Sequence, residues 1–461
     1  MRLFRGWKSY IYLLLIDVKD SKVLLQSNRD NYSLPCIKLN QGLSFDDVAS
    51  VKNAVNKDFG ISTNVLYYAS YEVDQNKHTV QAIYVLEQHP PGETIQIGTW
   101  FDVSSLAGVA LDHPEHKTMI EQCLTELTTG QTPTLRPPWA KPGCLQQASN
   151  WVDAQLEDLG YSSITAIECV RNWSISWVLS IKTAEGTLYL KAASPNVPLF
   201  CDEPVVTQTL ACLFLDQIPT VLAIHPQHHW MLLTDFGKPI GHRIPLRTKE
   251  HIYRSFANLQ IQATQHCDRM LAAGCLDRRL HVLHTQIEPF INDEETLSAL
   301  SAAEVEIEQL HAVAPKLKDL CSQLASYNIP ETLVHGDLHL NNVAFHQEHY
   351  LYFDWTDACI SHPFFDLLKF SLADKQISLL SDVTRLWQQR SMTRLRHEYL
   401  KQWQQYESPE RLSAAWNIAK PLCILHHAIT YQTMIKALEA RTRPEVSHVL
   451  PYLLRELISM C

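Results

Sequence analysis

A chain of 461 residues has room for two or three domains. At 46% hydrophobic and 19% charged residues it is composed like a folded protein, which excludes a disordered one. Its formal net charge of -10 argues against broad binding to nucleic acid or to an anionic membrane.

The first apolar run, Tyr10 to Ile16, ends at Asp17. It is too short to cross a bilayer and has no signal-type cleavage site, so it reads as a buried strand. The runs KVLLQS and TVQAIYVLEQ are also strand-like. Between them an amphipathic helix is predicted to start at Ser44 as N-cap, with Asp46 and Asp47 in its first turn, and to stop at Gly60. A second helix is expected from Pro114 to Leu127. Residues 128–143 then carry four prolines and two glycines, which continue neither a helix nor a central strand and suggest a linker.

After it comes a predicted helix with Trp151, Val152, Leu156 and Leu159 on one face and Gly160 as its stop. Two strands, SWVLSIK and LYLKA, meet at Ala184-Glu185-Gly186. Lys191 lies on the second of them, and Glu203, followed by Pro204, opens the next helix. From about residue 248 the pattern is helical, except for a short β segment near residues 342–354. Twelve cysteines are scattered singly, with no CxxC pair. That excludes a zinc ribbon or a thioredoxin motif and fits buried thiols in a reducing cytoplasm.

The densest chemistry is LVHGDLHLNNVAFHQEHYLYFDWTDA. Asp337 follows an apolar strand-like approach, and two short strands flank the polar turn at residues 346–349. A symmetric hairpin centred on Glu348 sets Asn342 opposite Asp354, with Cβ atoms about 5 Å apart. An amide oxygen and a carboxylate at that separation can share a hard cation such as magnesium. A free Asp337 carboxylate at the same mouth is what phosphoryl transfer needs, because it can accept the acceptor hydroxyl's proton. Lys191 and Glu203 fit the Lys–Glu pair that positions the α- and β-phosphates of a nucleotide.

HGDLHLNN, FDWTDA and HPFFDLL together resemble the aminoglycoside phosphotransferase family, a branch of the protein-kinase-like fold, over roughly residues 145–461. The resemblance implies an ATP- or GTP-using, Mg2+-dependent kinase acting on a small-molecule hydroxyl. By it, Asp337 is the catalytic base and Asn342 and Asp354 are the magnesium ligands. His335 braces the loop, Asp366 holds it, and His339 and Asp357 line the substrate side. The expected glycine-rich loop is absent from VRNWSISW, leaving Ser174 and Ser176 as phosphate contacts. Asp235-Phe236-Gly237 spells a kinase metal motif but precedes Asp337 by about a hundred residues. In a kinase-like order it falls at the hinge, where Leu233, Thr234 and Asp235 offer backbone groups to the adenine edge.

Residues 34–61 resemble a Nudix box, but its glutamates are replaced by Asn53-Ala54-Val55-Asn56-Lys57-Asp58, leaving Asp58 as the sole carboxylate. The fold expected is therefore α+β. A Nudix-like α/β domain spans residues 1–127 and a Pro-rich linker residues 128–146. A bilobal protein-kinase-like domain follows, with a β-rich N-lobe and hinge at 147–238 and a helical C-lobe at 239–461. The expected partners are nucleotide and a small-molecule acceptor, with no nucleic acid and no membrane. The competing readings are a non-catalytic nucleotide- or metabolite-binding protein and a Nudix-type hydrolase.

Overall fold

A computed structural model describes residues 6–89, 97–299, 304–368 and 382–461. It is a mixed α+β structure, with a β-rich N-terminal part and a helical C-terminal part. The chain divides into two compact units: residues 1–194 with 439–442, and residues 195–438 with 443–461.

In the first unit the opening run forms β1 (Lys8–Asp17). It pairs antiparallel with β2 (Lys22–Asn28) and with β4 (Cys36–Leu39), and β2 pairs with β3 (Asn31–Ser33). β5 (Thr63–Asp74) and β6 (Thr79–Gln88) are antiparallel to each other, β6 runs parallel to β1, and β7 (Thr99–Phe101) pairs antiparallel with β2. Side chains alternate across a strand. Ile11, Leu13 and Leu15 therefore join one core cluster, while Tyr12, Leu14 and Ile16 join another on the opposite face. The first cluster is closed by α1 (Val48–Phe59) through Val48, Val51 and Val55. The second is closed by α2 (Lys117–Thr129) through Ile120, Cys123 and Leu124. Covering both faces explains why β1 is a continuous apolar run and not an alternating one.

Gly60 caps α1 in the left-handed region, as expected, but the N-cap is Asp47 and not Ser44. The Asp47 carboxylate accepts from the Ser50 N–H at 3.1 Å, while Ser44 is used one turn earlier, its carbonyl accepting from the Asp47 N–H. The proline-rich stretch is packed down: Trp139 is buried and donates its indole N–H to the Trp173 carbonyl. α3 (Cys144–Leu159) buries Leu145, Ala148, Val152 and Leu156. Leu159, expected on that face, is 41% exposed because it sits in the last turn before the Gly160 cap. β8 (Ala166–Asn172), β9 (Ser176–Lys182) and β10 (Thr187–Ala193) follow as an antiparallel meander.

Residues 439–442 complete this unit. Arg136, its side chain 2% exposed, is held by Glu126 at 3.1 Å and by Glu439 at 2.6 Å. The Arg136 and Arg441 guanidinium groups lie 4.0 and 4.2 Å from the centre of the Tyr67 ring.

The second unit begins with α4 (Glu203–Leu213), opened by Glu203 and Pro204 as expected, and the hairpin β11 (Val221–His225) and β12 (Trp230–Thr234). Its body is helical, with α5 (Leu246–Ala263), α6 (Leu280–Ile291), α7 (Glu304–Ala325), α8 (Asp382–Leu400), α9 (Pro409–Lys436) and α10 (Val449–Met460). Among these helices sit the short strands β13 (Leu276–Asp277), β14 (Thr332–Val334) and β17 (Cys359–Ser361), which pair with one another, and the hairpin β15 (Val343–His346) and β16 (His349–Tyr352). No described helix is long and apolar enough to cross a membrane. All twelve cysteines are free thiols.

Candidate active site

β14 is fully buried, and the chain leaves it through His335, Gly336 and Asp337. Gly336 has φ +82, a region that costs other residues dearly. It also has no room for a side chain: a Cβ there would stand 2.5 Å from the Asp357 Cβ and 2.6 Å from the Asp357 carbonyl oxygen.

Asp366 clamps this turn from beneath. One of its oxygens accepts the Gly336 N–H and the other the His335 N–H, both at 2.9 Å. The second oxygen also accepts from the Gln260 amide at 2.9 Å. Burial pushes the Asp366 carboxyl up to about 7, while the two backbone N–H groups pull it the other way. Gln260 is itself fixed, its oxygen accepting from the Tyr399 hydroxyl at 2.5 Å and its amide donating to the Leu333 carbonyl at 2.9 Å.

His335 is buried, and burial holds its imidazole pKa below the ordinary value. Its Nδ1 accepts from the Asp337 N–H at 3.3 Å and its Nε2–H donates to the Phe353 carbonyl at 3.0 Å. The ring thus braces both the Asp337 turn and the residue before Asp354, with Trp355 packed on it at 4.5 Å.

Asp337 itself emerges from this buried frame with 53% of its side chain exposed. One carboxylate oxygen accepts from the Asn342 amide at 3.2 Å and lies 3.4 Å from the His339 Nε2. The Asn342 amide also donates to the Asp337 carbonyl at 3.0 Å. With its NH2 turned to Asp337, Asn342 keeps its amide oxygen for another partner.

The hairpin register differs from the expectation. Val343 pairs with Tyr352, so Asn342 stands opposite Phe353, whose N–H donates to its carbonyl at 3.1 Å, and not opposite Asp354. The turn is two residues, Gln347 and Glu348, both at positive φ, so its centre is not on Glu348 alone. Asp354 lies just beyond the paired stretch at φ +69, which re-aims its side chain where simple alternation no longer applies. The Thr356 hydroxyl sits 3.1 Å from an Asp354 oxygen and 3.0 Å from the Glu203 carboxylate, linking the start of α4 to the metal candidate.

Asp235 is exposed, and its carboxylate accepts from the Gly237 N–H at 2.8 Å, which closes a turn after β12. The chain then runs along the hairpin, with the Ile240 N–H donating to the Val343 carbonyl at 2.8 Å. Leu233 is buried and Thr234 half-buried at the end of β12. In the first unit, Lys191, Ser174 and Ser176 are all buried. The second unit thus brings together Asp337, His339 and Asn342, joins His335 to Asp366, and links Glu203 to Asp354.

Residues 241–415 match the phosphotransferase enzyme family. The matched segment holds Asp337, Asn342, Asp354 and Asp366, and it supports a small-molecule phosphotransferase. No curated protein matches the chain. Among solved structures, the chain is similar to a putative aminoglycoside phosphotransferase from Ralstonia eutropha, at 14% identity, 68% of this chain, 97% of that one and a TM-score of 0.44. It is similar to a choline/ethanolamine kinase family protein from Mesorhizobium loti, at 15%, 68%, 98% and 0.42. It is similar also to a Plasmodium vivax ethanolamine kinase, at 10%, 78%, 97% and 0.43. Likenesses of this size fix no substrate.

Four residues that the sequence reading passed over belong to this candidate site. Gln260 and Tyr399 hold Asp366, and Thr356 joins two carboxylates. Tyr431 is the fourth: burial and the nearby Asp337 and Asp357 carboxylates push its phenol up. Only Thr356, inside FDWTDA, lay next to a recognisable motif.

Proposed function

We propose that the protein is an ATP- and magnesium-dependent phosphotransferase acting on a hydroxyl of a small molecule, with Asp337 as the base. What supports this is an exposed carboxylate on a buried, fully hydrogen-bonded turn, inside a phosphotransferase-family segment. Such a group is pre-organised and still open to an incoming hydroxyl.

In the step proposed, the acceptor O–H donates its proton to Asp337 as its oxygen attacks the terminal phosphorus of the nucleotide. The new P–O bond forms as the bond to the β-phosphate oxygen breaks, and the nucleoside diphosphate leaves. His339 and Asn342 keep the carboxylate aimed, and Asp366 and His335 keep its backbone from yielding. Magnesium would be held by the Asn342 amide oxygen and the Asp354 carboxylate, hard donors suited to it, and would neutralise phosphate charge. Lys191 and Glu203 are assigned to the phosphates, Ser174 and Ser176 to the nucleotide loop, Leu233 to Asp235 to the adenine edge, and Asp357 to the acceptor side. GTP is the alternative donor.

The domain reading is kept with it: a Nudix-like domain at 1–127, a connecting stretch at 128–146, an N-lobe and hinge at 147–238, and a helical C-lobe at 239–461. Helix α1 offers Asp58 as its sole carboxylate, so the Nudix-like part is read as degenerate and non-hydrolytic. The twelve free thiols favour the cytoplasm.

The test is nucleoside diphosphate release across aminoglycosides, macrolides, sugars and amino alcohols, with Asp337→Asn as the control. The variant should lose about 10²–10⁴-fold in turnover while keeping nucleotide affinity. Unchanged turnover would sink the assignment. Nucleotide binding with no transfer to any acceptor would favour a non-catalytic binding protein.

A further inference from the structure

Away from the phosphotransferase site, the first unit holds a second group of ligand-type side chains, at Asp112-His113-Pro114-Glu115-His116. Pro114 opens a single 3-10 turn, Pro114–His116, that leads directly into α2. The tight turn folds positions 113, 115 and 116 toward one another. One ligand atom each from His113, Glu115 and His116 lies within 4.8 Å of the others.

Three observations make this more than three polar neighbours. The Nδ1 of His113 already stands 3.1 Å from a Glu115 carboxylate oxygen. That is close to the edge of about 3.3 Å expected between two ligands of a tetrahedral zinc ion with bonds near 2.0–2.1 Å. At its far nitrogen, His113 meets the Tyr12 hydroxyl at 3.4 Å, the outer partner that fixes the ring orientation of a metal-bound histidine. Finally, His116 is only 6% exposed, and its Nδ1 is shielded with no hydrogen-bond partner among the described residues. A buried imidazole left this way is uncommon and calls for an explanation. Asp112 takes no part, since its oxygens accept from Asn28 at 2.6 Å and Asn31 at 3.0 Å.

We propose that His113, Glu115 and His116 bind one divalent transition-metal ion of the zinc type. Two imidazoles and one carboxylate suit zinc, cobalt or nickel better than magnesium or calcium, which take oxygen ligands. Three protein ligands leave one position for water on the exposed side of His113 and Glu115. The site lies with Tyr12 and α2, on the sheet face opposite α1, so it is separate from the Nudix-like helix. Bound metal would pin the start of α2 and, through Tyr12, the strand β1.

The test uses the full chain, stripped with chelator and kept in excess magnesium. Zinc is titrated calorimetrically and cobalt spectroscopically, because thiolate binding by any of the twelve cysteines gives its own charge-transfer band. Wild type should take up one equivalent without that band, and zinc should raise its melting temperature. His113→Ala should weaken zinc binding by at least about tenfold and abolish the thermal shift. Glu115→Gln, at an exposed and isosteric position, should do the same in part even if His113→Ala folds poorly. Phosphotransfer should be unchanged in both variants. No zinc uptake by wild type, uptake with a thiolate band, or wild-type affinity in both variants would overturn the site.

Discussion

Gly336→Ala tests the turn that carries Asp337. At φ +82 a non-glycine residue costs about 1–2 kcal/mol in backbone energy alone. The added methyl would also meet the Asp357 Cβ at 2.5 Å and its carbonyl at 2.6 Å, so one of the two chains has to move by about an ångström. Overpacking of that kind costs a further 1–3 kcal/mol or so, which gives a loss of roughly 2–5 kcal/mol. Gly237→Ala is the matched control. Its φ is +90, yet the nearest atom to its new methyl is the Phe345 carbonyl oxygen at 4.0 Å, so only the backbone cost of about 1–2 kcal/mol applies. Urea unfolding of both variants, followed by tryptophan fluorescence, separates the steric part from the backbone part. Displacing Asp337 by an ångström should also lower turnover about 10²-fold in Gly336→Ala. Equal stabilities for the two variants, with turnover intact in Gly336→Ala, would refute the reasoning.

Tyr399→Phe removes the hydroxyl that donates to Gln260 and leaves a buried amide oxygen short of a donor, so a loss of about 1–3 kcal/mol is expected in urea unfolding. Arg136→Met leaves the largely buried Glu126 without its cation, while Glu439 keeps Arg441 at 2.9 Å, so the first unit should lose about 3 kcal/mol, read by thermal unfolding. His362 is buried, and burial pushes its pKa down to about 3, so between pH 6.5 and 3 the unfolded chain binds a proton that the native state refuses. Stability should therefore fall with acidification by about 1.4 kcal/mol per pH unit on this account. The stability deficit of His362→Asn should shrink by about 2 kcal/mol between pH 7 and pH 5 in paired urea titrations, and a constant deficit would remove histidine 362 from the acid response.

What the sequence made legible were features with a local physical signature. The double-faced apolar run of β1 declares a covered strand, and Gly60 and Gly160 mark helix ends because the left-handed region belongs to glycine. The start of α1 is not legible in the sequence because Ser44, Asp46 and Asp47 are all competent caps, and only packing selects among them. The hairpin slipped by one residue for a similar reason. Its turn residues, Gln347 and Glu348, adopt positive φ without the glycine or asparagine that usually announces it. The carboxylates of the candidate site stood out because they cluster within eighteen positions, Asp337 to Asp354. Their supports did not. Gln260 reaches Asp366 from 106 positions away and Tyr399 reaches Gln260 from 139, and no periodicity records such contacts.

The short segment Glu439–Thr442 sets the timing of assembly. Arg136 leaves the ribosome long before Glu439 does, with about three hundred residues to be made in between. At 5–20 residues per second that gap lasts on the order of 15–60 s. Throughout it, the nascent first unit carries Arg136 with Glu126 as its only carboxylate partner, and Tyr67 without the second cation. A truncated chain ending near residue 194 never escapes that state, so it should be more aggregation-prone than its sheet alone suggests.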